Sequence, residues 1–214
     1  HGDRVAFGGT NALDLAAWAL AAEVKGRTLV ILPSAQAPAV MADRAKDSGA
    51  SHLVGTTADP VALQKGSALS RLAGLWPKGR KGVVALDPDQ RPPFAVLFTS
   101  GSQGKPKGVL WSHRAVTAHL ETYRRTLSYC AGERLFNALP LHHTDGFFHG
   151  PLMAMWAGLT LVRPERPFSA AALPDWTGLA KQTGLDVFVT VPTMLAMLDG
   201  LDGNPFLPML KGSR

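Results

Sequence analysis

The sequence predicts an α/β fold: two similar subdomains of mainly parallel sheet flanked by helices. Two observations carry this. Short apolar runs of strand length, among them Thr28–Leu32, Gly82–Leu86 and Asp186–Val191, alternate with stretches of helical period. Glycine and proline, 22 and 16 of them, punctuate the boundaries. Such alternation indicates βαβ units with right-handed crossovers and a parallel sheet.

Taken in order, Gly2–Phe7 reads as a loop entering a strand. Asn11 is placed to cap a helix from Ala12 to about Val24, with Leu13, Ala16, Ala17 and Leu20 at helical spacing and Gly26 after it. Thr28–Leu32 is a buried strand stopped by Pro33. A second helix spans Ala39–Asp47, closed by Gly49, and Ser51–Gly55 is a short strand. Pro60–Leu72 reads as a third helix and Gly82–Leu86 as a strand. Beyond residue 90, Ser112 can cap a helix running from His113 to about Tyr129. Arg134–Leu139 is a strand, Phe147–Trp156 a helix ended by Gly158, and Leu159–Val162 a strand. Ser169 can cap a helix through Lys181, Asp186–Val191 is a buried strand, and Pro192 opens the last helix. The division expected is residues 1–90 and 91–214, with the strands around residue 100 in the second part.

With 214 residues, 46% hydrophobic and 18% charged, the chain can bury a real core and is not a disordered sequence. The net charge of +6 and a pI near 9.8 suit an anionic ligand such as a nucleotide or coenzyme A. No basic helix or aromatic platform points to nucleic acid, and Lys78, Arg80 and Lys81 read as a solvated loop. Cys130 is the single cysteine, so no internal disulfide can form; it reads as a small core residue, as Met194, Met197 and Met209 read as core filler. No apolar run reaches the roughly 20 residues of a membrane span. No signal-peptide pattern opens the sequence, and the expectation is a cytoplasmic protein.

The chemistry concentrates in Thr99-Ser100-Gly101-Ser102-Gln103-Gly104-Lys105-Pro106-Lys107-Gly108. Phe94–Phe98 leads into it and Val109–Trp111 leaves it, both apolar. Glycines let backbone N–H groups turn toward an anion, and lysines add positive charge, so the stretch can cradle phosphate. Composition alone leaves an ordinary hairpin with polar turn residues equally open. It is not a Walker A loop, because Gly104-Lys105 is followed by Pro106 and then a strand instead of Ser or Thr and a helix.

The stretch resembles the phosphate-binding signature of the adenylate-forming enzymes, which include acyl- and aryl-CoA synthetases, luciferases and peptide-synthetase adenylation domains. Eight of the nine specified signature positions match, and Gln103 stands where that family has a hydroxyl residue. Further elements agree. Glu23-Val24-Lys25-Gly26 before Leu32-Pro33, and Asp47-Ser48-Gly49-Ala50, resemble its scaffold turns. Pro140-Leu141-His142-His143-Thr144-Asp145-Gly146 resembles its Pro-Leu-Phe-His-x-x-Gly element, and Thr190-Val191-Pro192-Thr193 its Val-Pro-Thr element.

The resemblance implies an acid–thiol ligase that uses ATP and Mg2+ to make an acyl-adenylate, then passes the acyl group to coenzyme A. It implies nucleotide phosphate contacts from Thr99, Ser100, Gly101, Ser102, Gln103, Gly104 and Lys107. It implies an acyl pocket at His143, Val191 and Pro192. In open α/β sheets ligands lie beyond the carboxyl ends of strands, and all three segments follow strands, so one crevice is expected. Two alternatives stand beside this: a member that only converts a preformed acyl-adenylate to acyl-CoA, and a non-catalytic nucleotide- or acyl-binding module. His142, His143, Asp145 and His149 are metal-ligand types, but their spacing fits no standard site, and no metal site is expected. The family's metal-binding acid, ribose-binding aspartate and C-terminal lid with the adenylation lysine have no counterpart here. The expectation is an N-terminal portion that is inactive by itself.

Overall fold

The computed structural model describes residues 4–34, 36–55, 91–99, 106–164, 169–199 and 206. The expected helix Pro60–Leu72, strand Gly82–Leu86, loop cations Lys78, Arg80 and Lys81, and Met209 lie outside these residues. The backbone divides into two compact units, His1–Ala118 and His119–Arg214.

In the first unit β1 (Arg4–Phe7), β2 (Thr28–Ile31), β3 (Ala50–Val54), β4 (Ala95–Thr99) and β5 (Lys107–Trp111) form one sheet in the order β3-β1-β2-β4-β5. The first four strands are parallel, and β5 runs antiparallel to β4 as the edge. The β4–β5 hairpin was expected with the second subdomain; its hydrogen bonds to β2 place it in the first sheet. Every residue of β2 is buried, as a continuous apolar run in the middle of a parallel sheet must be. Ala6, Val30, Leu32, Met41, Ala45 and Val96 form the core on one side.

Helices α1 (Ala12–Val24) and α2 (Pro38–Asp47) follow β1 and β2. Asn11 caps α1 as expected, its side-chain oxygen accepting from the N–H groups of Leu13 and Asp14 at 2.8 and 3.1 Å. The buried face differs from the expected one. Leu15, Ala16, Ala17, Ala19, Ala21 and Ala22 are buried, whereas Leu13 and Leu20 are exposed. Alanines let a helix approach a sheet closely, so here the small residues mark the contact.

Helix α3 (His113–Thr126) starts at Ser112, whose hydroxyl accepts from Ala115 N–H at 3.2 Å. It stops three residues short of the expected Tyr129. Ser128 adopts the left-handed conformation, φ 53°; its N–H donates to Arg125 O and that of Tyr129 to Arg124 O. This is a Schellman end, normally closed by glycine. Tyr129 is buried there, and Cys130, expected in the core, is exposed. Ser128→Gly is expected to stabilise the fold by about 0.5–1 kcal/mol, since the left-handed backbone penalises a Cβ. A rise of a few degrees in Tm would bear this out; no rise or a fall would refute it.

The second unit holds a parallel sheet in the order β7-β6-β8, from β6 (Arg134–Asn137), β7 (Thr160–Val162) and β8 (Val187–Val189). Helices α4 (Thr144–Phe147) and α5 (Met153–Ala157) flank a widened turn over Phe148–Leu152. One helix was expected there; Gly150 at φ −106° and ψ −110° breaks it, because the residue before Pro151 is pushed out of helical backbone. Ser169 does not cap the next helix. A short tight turn, Ala170–Ala172, intervenes, and α6 runs Leu173–Thr183 with Pro174 in its first turn. Helix α7 (Pro192–Asp199) opens on proline as expected. Strand β8 is half-buried instead of buried. Phe136, Trp176, Met194, Leu198 and Phe206 make up much of the core, while Met197 is exposed.

Candidate functional site

In the first unit the signature leaves β4 at its carboxyl end and returns through β5. Thr99 and Lys107 are cross-strand partners, and the Thr99 hydroxyl donates to Lys107 O at 3.4 Å. Both residues are exposed. Gly108 faces Phe98 across the hairpin, where an added Cβ would come within 3.1 Å of Val96 Cγ1. Thr99 and Lys107 thus stand opposite each other where the glycine-rich stretch leaves and rejoins the sheet, at the carboxyl end of a parallel strand, where α/β sheets take anions. Ser100, Gly101, Ser102, Gln103 and Gly104 lie outside the described residues.

In the second unit β6 ends in a tight turn. His143 N–H donates to Pro140 O at 3.0 Å, and Phe147 N–H to His143 O at 3.0 Å. The fully buried Asn137 spans this turn: Leu139 N–H donates to its Oδ1 at 2.9 Å, and its Nδ2 donates to Asp145 O at 2.8 Å. Arg163, just past β7, donates from Nη1 to Asn137 O at 2.9 Å and from Nη2 to Leu139 O at 2.6 Å. Burial lowers the Arg163 pKa to about 10, so it stays a cation. Gly146 lies so close beneath the turn that an added Cβ would stand 1.9 Å from Pro140 O.

His143 is exposed and His142 half-buried. Adjacent histidines on a strand end would point to opposite sides. Here the chain has already turned, and the rings lie 4.4 Å apart, tilted by 39°. Burial first, then His143, pushes the His142 pKa down to about 4, so that ring is neutral at physiological pH. Val191 and Pro192 follow β8, which pairs directly with β6, so both expected pocket segments leave neighbouring strands of one sheet at their carboxyl ends. Val191 is half-buried and Pro192 exposed.

Beneath the turn lies a pair the sequence did not suggest. His149 Nδ1 is 3.1 Å from Asp145 Oδ1, and its Nε2 is 2.9 Å from His119 Nε2. A carboxylate only accepts, so His149 carries its proton on Nδ1 and accepts at Nε2, which His119 donates to. Burial lowers the pKa of both rings, with Asp145 opposing, and Tyr123 packs 3.9 Å from the His149 ring. His149 thus pairs with His119 and not with His142 or His143. Among the described residues no group of three or more His, Cys, Asp or Glu is arranged to hold a metal ion, and no helix is long and apolar enough to cross a membrane.

Asn137, Arg163 and the His119–His149 pair escaped the sequence reading. Two signals were there: an asparagine closing the apolar run Leu135-Phe136, and an arginine directly after Val162.

Comparison with known proteins points one way. The mouse mitochondrial malonate–CoA ligase (Mus musculus) is 32% identical over 104 residues, 48% of this chain and 18% of the relative. A medium-chain-fatty-acid–CoA ligase of Ectopseudomonas oleovorans is 29% identical over 119 residues, 55% of this chain and 21% of the relative. Among solved structures, the inhibitor-bound N-terminal domain of FACL13 from Mycobacterium tuberculosis matches with a TM-score of 0.72 at 20% identity, over 94% of this chain and 52% of that one. The o-succinylbenzoate CoA synthetase of Bacillus subtilis, solved with its acyl-adenylate, matches with a TM-score of 0.68 at 21% identity, over 94% and 52%. At these identities the structural likeness is one of fold, and the chain spans about half of each of these two structures. The family model for AMP-binding enzymes matches residues 1–213, so the chain belongs to that family of adenylate-forming enzymes.

Proposed function

We propose that this chain is the nucleotide- and acyl-binding portion of an acyl-CoA ligase, which joins a carboxylic acid to the AMP portion of ATP with release of pyrophosphate, then passes the acyl group from this acyl-adenylate to the thiol of coenzyme A with release of AMP. The observation carrying the reading is the β4–β5 hairpin, with Thr99 and Lys107 paired across the mouth of the signature loop at the carboxyl end of a parallel sheet. The curated relatives quoted above, both CoA ligases, support it. The carboxylate and the α-phosphate are both anionic, so charge neutralisation and alignment are the devices such a reaction needs. In this reading Lys107 supplies charge, Thr99, Ser100 and Ser102 supply hydrogen bonds, and His143, Val191 and Pro192 border the acyl group. Mg2+ enters with the nucleotide as part of the substrate.

The test uses the full-length protein with ATP, coenzyme A and a panel of carboxylic acids, with acyl-CoA detected by mass spectrometry. Lys107→Ala is expected to raise the KM for ATP about ten- to a hundredfold, the equivalent of losing one charge-assisted hydrogen bond. An unchanged KM would remove Lys107 from the site. No thioester with any acid, from ATP or from preformed adenylate, would leave a binding module.

Gln103 favours a second reading. Its longer amide replaces a hydroxyl in a loop whose backbone must approach the outer phosphates of ATP closely. An acyl-adenylate has no outer phosphates, so a protein with weakened adenylation would keep the thioester-forming step. Turnover only with synthetic acyl-adenylate, with ATP use restored by Gln103→Thr, would establish this; rapid pyrophosphate release from ATP and free acid would eliminate it.

A further inference from the structure

We propose that Asn137 is a positioning residue for the acyl end of the site, acting with Arg163 to set the backbone that carries His143; this rests on the acyl-pocket reading above. His143 is exposed, and the hydrogen bonds that fix it are those of its backbone N–H and C=O. The direction of its ring therefore follows the turn Pro140–His143. That turn is tied down on both sides by one side chain. Asn137 Oδ1 accepts from Leu139 N–H before the turn, and Nδ2 donates to Asp145 O after it. Arg163 fixes the same segment from just past the neighbouring strand β7, through the carbonyls of Asn137 and Leu139.

Burial makes the case specific. Asn137 has no solvent exposure and ends β6, where Leu135 and Phe136 are equally buried and Arg134 is exposed. Asparagine is a poor strand residue, and a core alone would be served better by an apolar one. Its two hydrogen bonds to the turn account for the amide. An aliphatic residue at position 137 would leave Leu139 N–H and Asp145 O without these partners and free the turn to shift. A displacement of about 1 Å at a reacting centre costs up to roughly a hundredfold in rate.

The experiment compares Asn137→Ala, Asn137→Ser and Arg163→Lys in the full-length protein, each with and without His143→Ala. Acid-dependent pyrophosphate release is measured with acid and ATP varied in turn, alongside Tm. The expected result is a fall of about tenfold or more in kcat/KM for the acid, with the KM for ATP within about twofold. In the His143→Ala background the same substitutions should add less than about twofold, because the group they position is gone. Losses that multiply, a parallel fall for ATP, or failure of all three variants to fold would make the role purely structural and overturn the proposal. His143→Ala without effect on the acid would overturn the pocket reading and the proposal with it. His143→Ala harmful while the Asn137 variants are harmless would overturn the proposal alone.

Discussion

Gly146→Ala is expected to destabilise the second unit by about 3 kcal/mol or more and to disable use of the acid. The added Cβ would meet Pro140 O at 1.9 Å, Pro140 C at 2.5 Å and Leu139 O at 2.9 Å. These are backbone atoms, which cannot swing aside as a flexible side chain can. They are also committed: Pro140 O accepts from His143 N–H, and Leu139 O from Arg163. Relief therefore requires moving α4 off the turn or opening the turn itself. Overpacking commonly costs about 1–3 kcal/mol, and an immovable backbone puts this case at or beyond the upper end. For a protein of this size about 3 kcal/mol corresponds to a fall in Tm of roughly 6–12 °C. Gly178 is the control. It lies inside α6 with nothing within 4 Å of an added Cβ. Gly178→Ala should stabilise by up to about 1 kcal/mol through helix propensity alone. Equal Tm values for the two variants would refute the packing account of Gly146.

What the sequence made legible follows a physical line. The β2 run and the Asn11 cap declared themselves because their causes are local: a continuous apolar run, and an amide within reach of two N–H groups. Pro192 at the first turn of α7 is of the same kind. The buried face of α1 was not legible. Its leucines and alanines are all apolar, so periodicity could not say which would meet the sheet, and the smaller ones did. Cys130 was misplaced because Ser128 turns the backbone left-handed and sends Tyr129 into the core instead. At the site, the signature and the His143 turn were visible as motifs. The devices that hold the turn were not, since Asn137 reaches Asp145 only once the chain turns after β6, and Arg163 reaches Leu139 only once β7 pairs with β6. His119 and His149 stand 30 positions apart, and no spacing rule couples them.

Stability is expected to fall as pH drops from about 6.5 toward 4, through histidines that the fold keeps neutral. His142 is the clearest case: burial takes its pKa from 6.5 to about 4. A base whose native pKa lies below its unfolded value binds its proton first in the unfolded chain. Its contribution is therefore complete above about pH 6.5 and is lost as pH falls toward 4, below which both states are protonated. Each pKa unit is worth about 1.4 kcal/mol, so His142 accounts for about 3 kcal/mol at most, less what its partial exposure screens. His149 and His119 act in the same direction. The facing Nε2 atoms hold one proton between them, and a second would set two donors 2.9 Å apart. Asp145 offsets part of this by favouring protonated imidazole. Urea unfolding between pH 7.5 and 4 should show the loss, with His149→Gln reducing its slope by up to one proton. Histidine ring resonances should show His142 and His149 still neutral at pH 5.5. Ordinary titration of both near pH 6.5 would overturn the prediction.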